Sequence, residues 1–211
     1  MKPFLLILSA PTGAGKTTIA NALAEARPDT VGFSVSATTR PPRQGETNGR
    51  HYHFLSRPEF ERRRANGDFL EWAEYSGNLY GTLRADVDRI VSSGRHVLLD
   101  IEVEGARQIR EKRQDVVSVF ILPPSAEVLL ERIRGREGAP PPDLRARLER
   151  AVQELEAAQD YHYIVVNADR DQTIAAVGGI IDAEAVRGDA AATLMAQELK
   201  DDLRRLAASL R

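Results

Sequence analysis

Apolar positions follow two rhythms along this 211-residue chain. Short continuous runs at Phe4 to Leu8, His96 to Ile101, Val116 to Leu122 and Tyr163 to Val166 read as strands buried on both faces, as in a parallel sheet. Between them Ile19, Ala20, Leu23 and Ala24 recur at helical spacing and end near Pro28. The same period runs through Glu104 to Lys112, Ala126 to Arg134 and Leu144 to Ala158. Alternation of this kind predicts an α/β fold, a parallel sheet core flanked by helices on both faces.

Two stretches break the alternation. From Phe33 to about Gly94 come short alternating runs, His51 to Leu55 and Phe69 to Tyr75, with Gly and Pro signals between them and a short helix at Arg57 to Arg64. This predicts a small mixed-β insertion, residues 34–94, in a core made of 1–33, 95–131 and 151–211. The second break, Gly135 to Asp143, holds Pro140, Pro141 and Pro142 flanked by arginines and reads as a mobile surface segment. From Ala190 to Arg211, Leu194, Leu199, Leu203 and Leu206 predict a helix packed on the body or on another subunit, which leaves a homo-oligomer open.

Composition changes this picture by exclusion. Hydrophobic residues make up 42% and charged residues 28%, ordinary for a globular protein. A net charge of −2 gives no global field for nucleic acid or an anionic membrane, so neither is expected as a partner. The absence of cysteine excludes disulfides, thiolate zinc sites and cysteine nucleophiles. Phe4 to Leu8 is too short for a signal peptide or a membrane span, and a cytoplasmic protein is expected. His51, His53, His96 and His162 lack ligand-like pairing beyond a strand i,i+2 and are read as structural. Arg57, Arg62, Arg63 and Arg64 are read as a solvated helix face.

The first chemistry lies in Ser9-Ala10-Pro11-Thr12-Gly13-Ala14-Gly15-Lys16-Thr17-Thr18, which follows a buried strand and opens a helix. That is the context of a phosphate-binding P-loop. Gly13 and Gly15 let backbone N–H groups turn around a phosphate, and the helix adds its positive end. Lys16 brings a point charge to the β- and γ-phosphates of ATP, and the Thr17 hydroxyl is a ligand for Mg²⁺. Ala10 stands where the first glycine belongs, tolerable at negative φ. By itself the motif marks a phosphate user, since GTPases, motors and kinases share it.

A second phosphate site is written in the insertion. Arg40 and Arg43 sit in a proline-stiffened loop, and with Tyr52 and Tyr80 they offer several donors to a phosphate. The segments Ser36 to Gly49 and Glu71 to Thr82 closely resemble the guanylate kinases, and the similarity runs from the P-loop to Asn167. The resemblance implies conversion of ATP and GMP to ADP and GDP, with 34–94 as the GMP-binding region and 132–150 as a mobile lid. It also implies that Glu71 and Ser36 read the guanine, with Thr82 at a position usually held by serine. Asp100-Ile101-Glu102 replaces an Asp-Ile-Asp stretch whose second aspartate contacts guanine in that family, so Glu102 keeps the charge with an added methylene. Asp100, ending a buried strand, is positioned like a Walker B carboxylate and is expected to hold the metal through water. Arg132, Arg136 and Arg147 match the family's lid arginines, and Asn167 resembles its adenine-side residue. The proline run departs from the more polar lid usual there.

These residues imply a mechanism. Arginines arriving with the lid neutralise the repulsion between two phosphate chains and the charge of the transferring group. A phosphate monoester with a second pKa near 6 is mostly dianionic at neutral pH, so direct in-line transfer needs no general base and no covalent intermediate. Two other readings compete: a binding module that has lost catalysis, and a P-loop kinase acting on another small phosphorylated acceptor. Intact Lys16 and Thr17 weigh against the first, and Glu71 with Ser36 against the second.

Overall fold

A continuous apolar run has to be buried on both faces, and β1 (Leu5–Ser9) is buried at every position. The computed structural model describes residues 3–135, 143–183, 198–205 and 208. After β1 come α1 (Lys16–Ala26), β2 (Val31–Phe33), β3 (Ala37–Thr38), β4 (His53–Phe54), α2 (Arg57–Ala65), β5 (Phe69–Tyr75) and β6 (Asn78–Leu83). Then follow α3 (Arg84–Ser92), β7 (His96–Asp100), α4 (Val103–Lys112), β8 (Val116–Leu122) and α5 (Ala126–Gly135). Helix α6 (Leu144–Glu156), a 3₁₀ turn (Ala157–Asp160), β9 (Tyr163–Val166) and α7 (Arg170–Asp182) complete the named elements. The fold is α/β, with a sheet of order β2-β7-β1-β8-β9 and helices flanking it, and a second, mixed sheet of order β4-β3-β6-β5. No helix of the described residues is long and apolar enough to cross a membrane.

The chain divides into two compact units, Met1–Ile7 with Ala24–Val117 and Leu8–Leu23 with Ser118–Arg211. In the first unit β2 runs parallel to β7, with Val31 opposite His96. The periodicity did not mark β2, because three residues with a central glycine are too short to show a rhythm. Nor did it mark α3, whose Val87 and Ile90 are buried inside the stretch expected to be mixed-β. The mixed sheet lies wholly in this unit. Its core is Ala37, Phe60, Phe69, Leu79 and Leu83, with Leu55 and Trp72 packed against it. Helix α2 starts where Ser56 accepts from Glu59 N, with proline in its first turn.

Strands β5 and β6 form a hairpin closed by Ser76 and Gly77, with φ of 50° and 75°. Positive φ at both central residues is the turn whose twist matches that of paired strands. Its register sets Glu71 opposite Thr82 and Trp72 opposite Gly81, after a shift between Phe69 and Glu71.

In the second unit β8 runs parallel to β9, with Val119 opposite Tyr163. Helix α6 buries Leu144, Leu148, Ala151, Val152 and Leu155. Helix α7, which the apolar pattern also missed, starts where Asp169 accepts from Gln172 N at 2.8 Å. Residues 198–205 are helical, with Leu199 and Leu203 buried, while Leu194, Leu206 and Pro140 to Pro142 fall outside the described residues.

Candidate active site

The residues expected to bind ATP, from Ala10 to Thr18 with Asn167, belong to the second unit. Gly13 and Gly15 have φ of 91° and 95°, a region glycine enters without Cβ strain. The space beside them is closed too: a Cβ on Gly13 would lie 2.8 Å from Ile133 Cγ1, and one on Gly15 2.8 Å from Asn167 Nδ2. Ala10 is buried and is not at positive φ, so its methyl is accommodated. Within the loop Ala14 N donates to Pro11 O at 2.9 Å. Helix α1 begins at Lys16 with no acidic residue in its first turn, so its positive end is not offset locally. Lys16 is half-buried, and Thr17 and Thr18 are exposed.

Three side chains brace this loop. Thr12 N donates to the Glu154 Oε2 carboxylate of α6 at 2.9 Å. Asn167 Nδ2 donates to Ala14 O at 2.8 Å, while its Oδ1 accepts from the Thr173 hydroxyl at 3.2 Å. The Asn167 amide expected on the adenine side is thus engaged with the P-loop backbone. Arg132 donates through Nη1 to Ala14 O and through Nη2 to Asn167 O, both at 3.2 Å. Arg147, on α6, donates from Nε to Asp143 at 3.0 Å, and this bond holds the Asp143 carboxyl below the usual aspartate range. Arg136 lies outside the described residues.

The residues expected to bind the acceptor belong to the first unit. Arg40 donates from Nη1 and Nη2 to the two oxygens of Glu46 at 2.9 and 2.8 Å, and from Nη1 to Pro41 O at 2.8 Å. Arg43 is exposed, and its N donates to Glu46 Oε2 at 2.7 Å. The Arg40 bond holds the Glu46 carboxyl below its ordinary value, and reciprocally raises the guanidinium pKa. Arg40 Cζ stands 5.3 Å from the Tyr52 ring centre, and the Tyr52 and Tyr80 rings meet edge-on at 6.1 Å. Hence Arg40, Tyr52 and Tyr80 form one cluster.

On the hairpin, Glu71 is 4% exposed and Thr82 1%. The Thr82 hydroxyl donates to Glu71 Oε1 at 2.6 Å, a short charge-assisted bond that fixes the carboxylate. Ser36 is half-buried just before β3, and its carbonyl accepts from His53 N at 2.9 Å. Asp100 ends β7 half-buried, and Glu102 occupies the N-cap position of α4 without a side-chain capping bond.

A family model described as guanylate kinase matches residues 2–184. The chain belongs to the guanylate kinase family. A guanylate kinase of Chelativorans sp. (strain BNC1) is 48% identical over 184 residues, 87% of this chain and 84% of that relative. One of Alkalilimnicola ehrlichii is 44% identical over 197 residues, covering 93% and 97%. Among solved structures, the crystal structure of guanylate kinase from Anaplasma phagocytophilum aligns with a TM-score of 0.71 at 37% identity, covering 88% of this chain and 87% of that one.

In this guanylate kinase two carboxylates that sequence reasoning did not single out hold the loops. Glu46 lies three residues after Arg43 in the arginine loop, so charge alternation was a signal for it. Glu154 is 142 residues from Thr12 and left no local signal. The histidines are occupied in backbone and side-chain bonds: His51 accepts from Thr47 N, His53 meets Asp86, His96 accepts from Phe4 N, and His162 accepts from Ser118 N.

Proposed function

We infer that this guanylate kinase reads GMP through Glu71 and transfers to it the γ-phosphoryl group of ATP, giving ADP and GDP. The observation that carries this is the buried Glu71 carboxylate, bonded by Thr82, in the unit that also holds the Arg40, Tyr52 and Tyr80 cluster. A carboxylate only accepts, and the N1–H and N2–H edge of guanine only donates. Adenine would set a lone pair against a buried charge. Ser36 serves O6, and Glu102 adds acceptor capacity from the start of α4. Arg40, Arg43, Tyr52 and Tyr80 take the GMP phosphate, for which the planar guanidinium fork is suited.

On the donor side, the loop from Ala10 to Thr18 holds the ATP phosphates with backbone N–H groups other than those of Thr12 and Ala14, the α1 terminus and Lys16. Asn167 and Arg132 keep that cradle in shape. Thr17 and Asp100 would hold Mg²⁺: both offer oxygen donors. Mg²⁺ keeps several waters and substrate phosphates as ligands, so few protein oxygens are required of the chain. When bound, Mg²⁺ neutralises charge on the β- and γ-oxygens. Arg132, Arg136 and Arg147 offset the charge spread over the transferring group. GMP arrives as a dianion, so in-line transfer proceeds without a general base or a covalent intermediate. Residues 34–94 act as the GMP-binding region and 132–150 as the lid. A cytoplasmic location belongs to the same reading.

The test is an ADP-release assay over GMP, AMP, CMP and UMP. GMP should exceed AMP in kcat/KM by on the order of 10⁴, because a polar mismatch leaves buried groups unpaired. Equal turnover of AMP would end the guanine assignment. GMP binding by calorimetry with no turnover of any nucleotide would identify a binding module.

A further inference from the structure

Resting on the reading of Glu71 as the guanine-reading carboxylate, the structure also accounts for what holds that side chain on an edge strand. Among the described residues, β5 has a strand partner on one side of the mixed sheet, β6. An edge strand exposes backbone N–H and C=O groups on its open side and is free to slide or fray there. At Trp72, next to Glu71, those groups are taken by one side chain of α4. Gln108 Nε2 donates to Trp72 O at 2.8 Å, and Gln108 Oε1 accepts from Trp72 N at 3.4 Å. A primary amide has the donor and acceptor that a residue of a further strand would present. Its orientation is fixed independently: Nε2 also donates to Glu104 Oε1 at 3.1 Å, and a carboxylate can only accept.

One turn earlier, the same helix makes room for the carboxylate itself. A Cβ built on Gly105 would lie 2.3 Å from Glu71 Oε2, 2.8 Å from Cδ and 3.4 Å from Cγ. Even the smallest side chain there would displace the carboxylate. Gly105 is the third residue of α4, so Glu71 rests on the first turn, where the helix carries its positive end. The opposite side of Glu71 is held by Thr82 across the hairpin. A carboxylate closed in between Thr82 and Gly105, on a strand pinned by Gln108, has one position to offer a base edge.

We propose that Gly105 and Gln108 of α4 are positioning residues for guanine specificity, acting through Glu71 without touching the nucleotide. Gly105 supplies the space into which the carboxylate fits, and Gln108 supplies the missing strand that keeps β5 in register. The decisive measurement is steady-state kinetics of Gly105→Ala and Gln108→Ala against GMP and IMP, with Glu71→Gln alongside. IMP keeps N1–H and lacks the 2-amino group, so the GMP:IMP ratio of kcat/KM reports how well Glu71 is placed.

In both α4 variants the KM for GMP should rise about tenfold or more and the GMP:IMP ratio should fall by a similar factor, in the range expected when a charged hydrogen bond is misaligned. The KM for ATP and kcat at saturating GMP should stay within about twofold, because only uniform binding of the acceptor is lost. A merely structural role would lower the active fraction, reducing kcat with both acceptors while leaving KM and the ratio untouched. That result would overturn the proposal. Gln108→Ala keeps a good helix former at a half-buried position, so it carries the test if Gly105→Ala does not fold. Unchanged KM and ratio in the α4 variants, with a raised KM in Glu71→Gln, would sink the positioning role and leave the guanine reading standing. No effect of Glu71→Gln would sink both.

Discussion

Glu46 presents two oxygens to the Arg40 fork as a phosphate would. Because this bond lowers the Glu46 pKa from an ordinary 4.5, it stabilises the fold above pH 4.5 and is lost as pH falls through the lowered folded-state value. Glu46→Gln should therefore lower the thermal midpoint at neutral pH, and the gap to the parent should close in acid. A gap independent of pH would contradict the assignment. Lys16 gives a second residue-scale expectation. Lys16→Ala should cut kcat by on the order of 10³, the size of effect seen when one preorganised charge is removed. GMP affinity by calorimetry should stay within about twofold, since the acceptor residues lie in the other unit. Lost GMP affinity would count against that division.

At the scale of elements, the β5–β6 hairpin links chain geometry to chemistry. Ser76 is the non-glycine residue at positive φ among those described, at 50°. Ser76→Gly should stabilise the protein by about 1 kcal/mol in urea unfolding, by relieving left-handed strain. Ser76→Val should destabilise it and weaken GMP binding, because the turn sets the register that faces Glu71 with Thr82. Loss of stability without loss of GMP affinity would uncouple turn from site. How much of this was legible follows from distance along the chain. The P-loop, β8 and β9 could be read because their signals are local and continuous. β2 and β6 could not, being short or glycine-bearing, and α7 carries Gly178 and Gly179, which dilute a helical signature. The residues proposed for the acceptor site were singled out through resemblance. Glu154, Gly105 and Gln108 were not, because what they do depends on partners brought together by folding.

For the whole molecule, the residues proposed for ATP and those proposed for GMP each fall inside one compact unit, with Asp100 and Glu102 in the same unit as the latter. Binding energy from either nucleotide should then register first in its own unit. GMP at 100 times its Kd should stabilise the protein by about 2.7 kcal/mol by mass action alone. Hydrogen exchange should show the protection centred on β3, β5 and β6, with residues 10–18 protected by an ATP analogue instead. Equal protection of both regions by GMP alone would show that the halves are not loaded separately.

Helix α6 holds Arg147 and Glu154 seven residues apart, on nearly the same face. Glu154 is fastened to the P-loop at Thr12, whereas Arg147 is half-buried in the first turns. A rigid tilt of the helix about that bond would carry Arg147 on an arm of about 10 Å. A tilt of about 10° would sweep the guanidinium through about 2 Å, more than the tolerance of a hydrogen bond. The carboxylate that braces Thr12 would then be the pivot for an arginine expected to meet the transferring group.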